Sequence, residues 1–124
     1  MDNKQIAKQF FENLFVDNDK AYEVLSDDVR VNWPGFGMDD IVGKENLYNF
    51  LSNDGPEKVL KLQINNVIGE GDVVIADGNI LTERHGKQET SHFSDVYTVR
   101  DGKITSLVSY MVFGKENEDD TETE

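Results

Sequence analysis

The sequence predicts one α+β domain: a long, curled antiparallel sheet, a cone-like half barrel, covered by three N-terminal helices around an apolar pocket. Three observations carry this. Helical periodicity is confined to the first half of the chain; four long alternating segments follow Glu57; and each connection between those segments holds a turn glycine. Helices first and strands afterwards argue for segregated layers, not for a parallel α/β sheet. At 124 residues the chain has room for one domain.

The elements follow in the order α-α-β-α-β-β-β-β. Asp2 or Asn3 can cap a first helix, with Gln5 placed to reach back toward Asp2. Ile6, Phe10 and Leu14 make its apolar stripe, flanked by Ala7, Phe11 and Phe15. Asp17-Asn18-Asp19 breaks it, and Lys20 to Leu25 predicts a short second helix. Val29, Val31 and Trp33 alternate with Arg30 and Asn32, a strand with one wet face over 28–33. Pro34-Gly35-Phe36-Gly37 ends it as a loop. A third helix is expected from about Gly43 to Ser52, with Leu47, Phe50 and Leu51 inward, and Asp39-Asp40 serving its N-terminus.

The meander then turns at Gly69-Glu70-Gly71-Asp72, His85-Gly86 and Asp101-Gly102. Leu60, Leu62, Ile64 and Ile68 are expected on one face of its first strand, and Gly78, Ile80 and Thr82 on one face of the second. Phe93, Asp95, Tyr97 and Val99 share a face of the third; the fourth runs from Ile104 to Phe113. Strands of about twelve residues exceed the usual ~5–6. Twist accumulated over such a length curls the sheet around whatever packs on it.

Composition removes several function classes. Residues 115–124 carry six acids, one base and no apolar side chain, so the domain is expected over 1–114 with an acidic disordered tail after it. Subtracting the tail's −5 takes the formal charge from −13 to about −8. An acidic domain without a Lys/Arg run is a poor partner for nucleic acid or an anionic membrane surface. The absence of cysteine excludes disulfides, thiolate catalysis and Cys-bound metals. No apolar run approaches a ~20-residue membrane span, and the N-terminus leads into an amphipathic helix, not a signal-peptide core. A cytoplasmic location is expected.

Asp95 is the anomaly. Its neighbours on the inward face are Phe93, Tyr97 and Val99. A carboxylate there must be paired, hydrogen-bonded or protonated, because desolvation penalises its charge. A raised pKa suits a general base or a neutral acid that donates a hydrogen bond. The structural alternatives are a bulge that turns it to water or a buried donor that it merely satisfies.

At these residues the chain resembles the nuclear-transport-factor-2-like superfamily, within it the ketosteroid-isomerase and SnoaL-like branch. Leu25-Ser26-Asp27-Asp28 followed by Val29-Arg30-Val31-Asn32-Trp33-Pro34 is similar to the family's F-A-D-D … V-x-D-P segment. Gly43-Lys44-Glu45-Asn46-Leu47 is similar to its G-x-x-A-I helix start, and Asp101-Gly102-Lys103-Ile104 resembles its last hairpin. Val74 through Tyr97 is similar to the two central strands of the bacterial isomerases. The resemblance spans roughly residues 3–113 and implies a fold, a pocket and a homodimer formed through the outer sheet face.

The resemblance puts Asp95 on the family's oxyanion-hole acid, a carboxyl kept neutral by apolar surroundings. It puts Trp33 where the isomerases hold their general-base Asp, and Phe11 (or Phe10) where they hold a Tyr. Gly78, Ile80 and Thr82 fall on pocket-lining positions. An indole cannot abstract the proton and a phenyl ring cannot hydrogen-bond an enolate, so steroid isomerisation by that route is not expected.

Around Asp95, Phe11, Trp33, Gly78, Ile80, Thr82, Phe93, Tyr97 and Tyr110 are the candidate ligand-binding residues. Trp33 and Tyr97 read equally well as core aromatics, and Tyr110 as a half-buried strand residue. Asn66 is expected to hydrogen-bond across the interior. His85 belongs to a turn and His92 has the opposite parity to Asp95, so no metal ligand set forms; no cofactor is expected either. Three readings remain: a small-molecule-binding domain with Asp95 as polar anchor, an isomerase, cyclase or hydratase using Asp95 as acid or base, and a dimeric interaction module.

Overall fold

The computed structural model describes residues 1–114; the segment expected as an acidic tail lies outside them. Helix α1 (Asn3–Asn13) starts on a capping box: the Asp2 side chain accepts from the Gln5 backbone N–H, and the Gln5 side chain accepts from that of Asp2, both at 2.9 Å. It buries Ile6, Ala7 and Phe10. Helix α2 (Asn18–Glu23) begins two residues before the expected Lys20, because Asp17 takes the N-cap. Helix α3 (Lys44–Asp54) buries Leu47 and Leu51.

The sheet has six strands: β1 (Leu25–Asn32), β2 (Ile41–Val42), β3 (Lys58–Glu70), β4 (Val73–Arg84), β5 (Lys87–Arg100) and β6 (Lys103–Phe113), in spatial order β2-β1-β6-β5-β4-β3. Strands β3 to β6 form the antiparallel meander; β1 adds to β6 in parallel, and the two-residue β2 pairs with β1. The sequence pattern gave no sign of β2 or of the 3-10 turn at Pro34–Phe36. Both are too short for periodicity to register. Asp40 does not serve α3: Gly43 is the N-cap, and Asp40 accepts from Asn32 at 2.9 Å and pairs with Arg30 at 3.4 Å, tying its loop to β1.

The core is the concave face of the sheet with the helices laid on it. Val29, Val31, Val74, Ala76, Tyr97, Val99, Ile104 and Leu107 from the strands meet Ile6, Ala7, Phe10, Leu47 and Leu51 from the helices. Its outline depends on three β-bulges within the meander. In β3 the pairing shifts between Val59 and Lys61 and again between Ile64 and Asn66. A one-residue shift exchanges the two faces of a strand. Val59, Leu62, Ile64 and Val67 are consequently the half-buried set, and Leu60 and Ile68 are exposed, which corrects the expected single face. Asn66 is exposed too: its amide donates to Asp77 at 3.0 Å rather than crossing the interior. The third bulge lies in the β5–β6 hairpin and shapes the site.

Candidate functional site

Strand β5 carries the site. Tyr97 and Val99 are fully buried, while His92 and Arg100, of opposite parity, are exposed. Asp95 lies between Phe93 and Tyr97 on the inward face and is opposed by Ala76 of β4 and Ser109 of β6. The small size of both flanking residues leaves room for the carboxyl group. The Tyr97 hydroxyl donates to Asp95 Oδ2 at 3.2 Å. Oδ1 has no accessible surface and no hydrogen-bond partner, and among the described residues no Lys, Arg or His forms an ion pair with this carboxylate. The Ser109 hydroxyl is its cross-strand neighbour.

Such a carboxyl resists ionisation. Burial pushes the Asp95 pKa from 3.8 up to about 6, while the Ser109 and Tyr97 hydroxyls, which favour the anion, hold the rise down. The phenol of Tyr97 moves upward as well, first because it is buried and then because ionisation would place its charge beside Asp95. The pair therefore offers a carboxyl that is half protonated near pH 6 and a phenol that stays protonated. That chemistry suits proton donation or acceptance close to neutrality.

Aromatic rings surround it. Phe10 and Phe11 of α1 meet the Tyr97 ring at centroid distances of 6.1 and 6.3 Å. Phe10 is in the core and Phe11 flanks it, so both positions weighed for the missing tyrosine touch the site. Trp33 is 9% exposed and lies against Phe50 (5.5 Å) and Phe36 (6.3 Å). Gly78, Ile80 and Thr82 follow one another on the inward face of β4, Gly78 opposite Phe93 and Ile80 opposite the buried Ser91. Gly78 is required: a Cβ there would collide with the Gln63 carbonyl oxygen where the β3 bulge brings that strand close.

Tyr110 is the correction. It is 51% exposed and opposes Ser94, on the convex face. The cause is the bulge at Thr105. The hairpin pairs Arg100 with Lys103 and Val99 with Ile104, but then Thr98 with Ser106. Counting outward from the Asp101-Gly102 turn without that shift puts Val108 opposite Asp95 and aims Tyr110 inward. With it, Leu107, Ser109 and Met111 face inward instead. Ser109 was therefore missed. Apolar residues of both parities along β6 hid the shift.

A cleft of about 410 Å³ opens elsewhere, between α2, α3 and the β4–β5 turn, lined by Phe15, Tyr22, Tyr48, Leu51, Arg84 and His85 among others. Burial and the neighbouring Tyr48 push the Tyr22 phenol up to about 12. His85 pairs there with Glu57 at 3.5 Å, and Asp95 is not part of its wall.

Comparison with known proteins agrees with this architecture. The family model described as "SnoaL-like domain" matches residues 7–107. No curated protein matches the sequence. Among solved structures, an NTF2-like protein of unknown function from Burkholderia xenovorans superposes with a TM-score of 0.72 at 20% identity, covering 92% of this chain and 85% of that one. An LEH-like epoxide hydrolase from M. tuberculosis gives 0.75 at 19% identity, with 89% and 82% covered. A SnoaL-like polyketide cyclase from Jannaschia sp. gives 0.72 at 16%, with 88% and 84% covered. At these identities the likeness establishes the NTF2-like α+β cone fold.

Proposed function

The chain belongs to the SnoaL-like family, and from that premise we propose that it binds a small, largely apolar or cyclic molecule between the helices and the concave sheet face, with Asp95 as polar anchor. The observation that carries this is the Asp95 carboxyl: half-buried on an aromatic-lined face, without an ion-pair partner among the described residues, and with Oδ1 out of solvent, faced by the Ser109 hydroxyl but without a hydrogen bond of normal geometry. A buried polar group left in that state is destabilising unless something else uses it. Phe11, Trp33, Ile80, Thr82 and Phe93 supply the apolar wall, and Gly78 lets β3 close against β4 beside it.

A second reading makes the domain an isomerase-, cyclase- or hydratase-type enzyme in which Asp95 is the acid or base. The pKa of about 6 favours it, because a group that titrates near working pH exchanges protons with least loss of driving force. Asp95→Asn separates the two: an anchor whose carboxyl holds the ligand loses affinity, whereas an acid/base loses turnover with binding intact. Titration calorimetry with flat cyclic alcohols and ketones tests the anchor. Failure of every such compound to bind wild type at millimolar concentration rejects it.

A homodimer belongs to the same proposal. Ile68, Ile75, Val96 and Val108 lie in one row across the convex face, with Ile68 62% exposed, and an apolar row of this kind is a natural interface. It also supports the third reading, a protein-interaction module. A cytoplasmic location completes the proposal: the chain lacks cysteine, and among the described residues no helix is long and apolar enough to cross a membrane.

A further inference from the structure

The 3-10 turn Pro34–Phe36 carries a ring whose surroundings differ from those of the other aromatics. Phe36 lies within 8° of parallel to Trp33 and within 11° of parallel to Phe113, at centroid distances of 6.3 and 5.7 Å. It is the ring that links those two residues. The outer members of the series are fixed by the fold. Trp33 is nearly buried and packs on Phe50. Phe113 pairs with Ser91 in the sheet, and the next residue, Gly114, donates to the Thr90 carbonyl at 2.7 Å.

The backbone around Phe36 is held less firmly. Phe36 is 43% exposed, and Phe113 beside it 51%. The hydrogen bonds of its turn are internal, from Phe36 to the Trp33 carbonyl at 2.9 Å and from Gly37 to the Pro34 carbonyl at 3.3 Å. Gly37 sits at φ +65° with open space on its side-chain side. The turn that carries Phe36 can move without breaking a sheet hydrogen bond, whereas Phe113 is tied into the sheet by its pairing with Ser91 and Trp33 is packed in the core. Parallel rings offer their faces to another flat π-system, the arrangement aromatic pairs favour.

We propose that Phe36 is a built-in plug, its ring holding the place that a planar aromatic ring of the bound molecule takes against Trp33 and Phe113. This rests on the reading of the domain as a binder of cyclic small molecules and narrows it to flat, unsaturated ones. In wild type the ligand competes with the protein's own ring, so only the fraction of molecules with the turn displaced can bind, and apparent affinity falls by that fraction. Deleting the competitor strengthens binding of flat ligands alone.

The test uses the full chain, with 2-naphthol and its fully saturated analogue decahydro-2-naphthol as probes, measured by titration calorimetry. Phe36→Ala is expected to bind 2-naphthol about fivefold more tightly than wild type, the scale of one aromatic contact, with no gain for the saturated alcohol. Adding Phe113→Ala to that variant is expected to abolish the gain. An equal gain for both alcohols, an unchanged affinity, or no binding of 2-naphthol to either protein overturns the proposal. If Phe36→Ala does not fold, Phe36→Leu carries the same test, because it removes the flat ring and keeps apolar bulk. An Asp95→Asn arm distinguishes this idea from the one it rests on. Affinity lost in Asp95→Asn but indifferent to Phe36 leaves the anchor standing and refutes the plug; the reverse supports the plug and refutes the anchor.

Discussion

Replacing Asp95 with Asn removes a charge that the fold resists. In wild type the folded pKa, about 6, lies above the unfolded value of 3.8. The native state thus keeps its proton to higher pH than the unfolded chain does. Well below pH 3.8 Asp95 is neutral in both states and carries no penalty. As pH rises through the unfolded and then the folded pKa, the unfolded state is increasingly favoured, and above about pH 6 the penalty levels off. The two pKa values give about 1.6 kcal/mol of destabilisation at pH 5 and about 3 kcal/mol at pH 7.5.

Asparagine has no such penalty. Its carbonyl still accepts from Tyr97, but its amide brings donors into a site where Ser109 is the facing group. An unsatisfied buried donor costs about 1–2 kcal/mol. Asp95→Asn is therefore expected to be close to neutral at pH 5 and more stable than wild type by about 1–2 kcal/mol at pH 7.5. Urea unfolding of both proteins from pH 5 to 8, above the sequence pI of about 4.4, gives the comparison. The decisive quantity is the change with pH in the difference between them, about 1.4 kcal/mol over that interval. A difference that stays flat refutes the buried-carboxyl argument, and so does clear destabilisation of the variant at pH 7.5.

Other outcomes follow from the same geometry. Tyr97→Phe removes a donor to the carboxylate, so the Asp95 pKa should rise above its wild-type value; a carbon-13 carboxyl titration that shows a fall contradicts the 3.2 Å hydrogen bond. Gly78→Ala forces a methyl group against the Gln63 carbonyl and should cost about 2–3 kcal/mol in urea unfolding; a loss under about 0.5 kcal/mol means that the strands are not so close. Sedimentation should find a dimer at high micromolar concentration, converted by Ile75→Lys to a folded monomer; a monomeric wild type rejects the interface on the convex face.

Much of the architecture was legible in the residues because it rests on local physics. Asp2 and Gln5 mark the start of α1, Ile6 and Phe10 its buried face, and the glycines after His85 and Asp101 the hairpins; each acts over a few residues, and the alternation of β5 is enough to turn Asp95 inward. The partners of Asp95 are another matter. A bulge at Thr105 exchanges Tyr110 for Ser109, and two bulges in β3 exchange Ile68 for Val67 and turn Asn66 out to Asp77. A bulge costs little in its own strand and is selected by what the curled sheet must pack against. Apolar residues on both faces of β3 and β6 left the pattern with no preference, so register, and with it half of the site, was fixed by packing across strands.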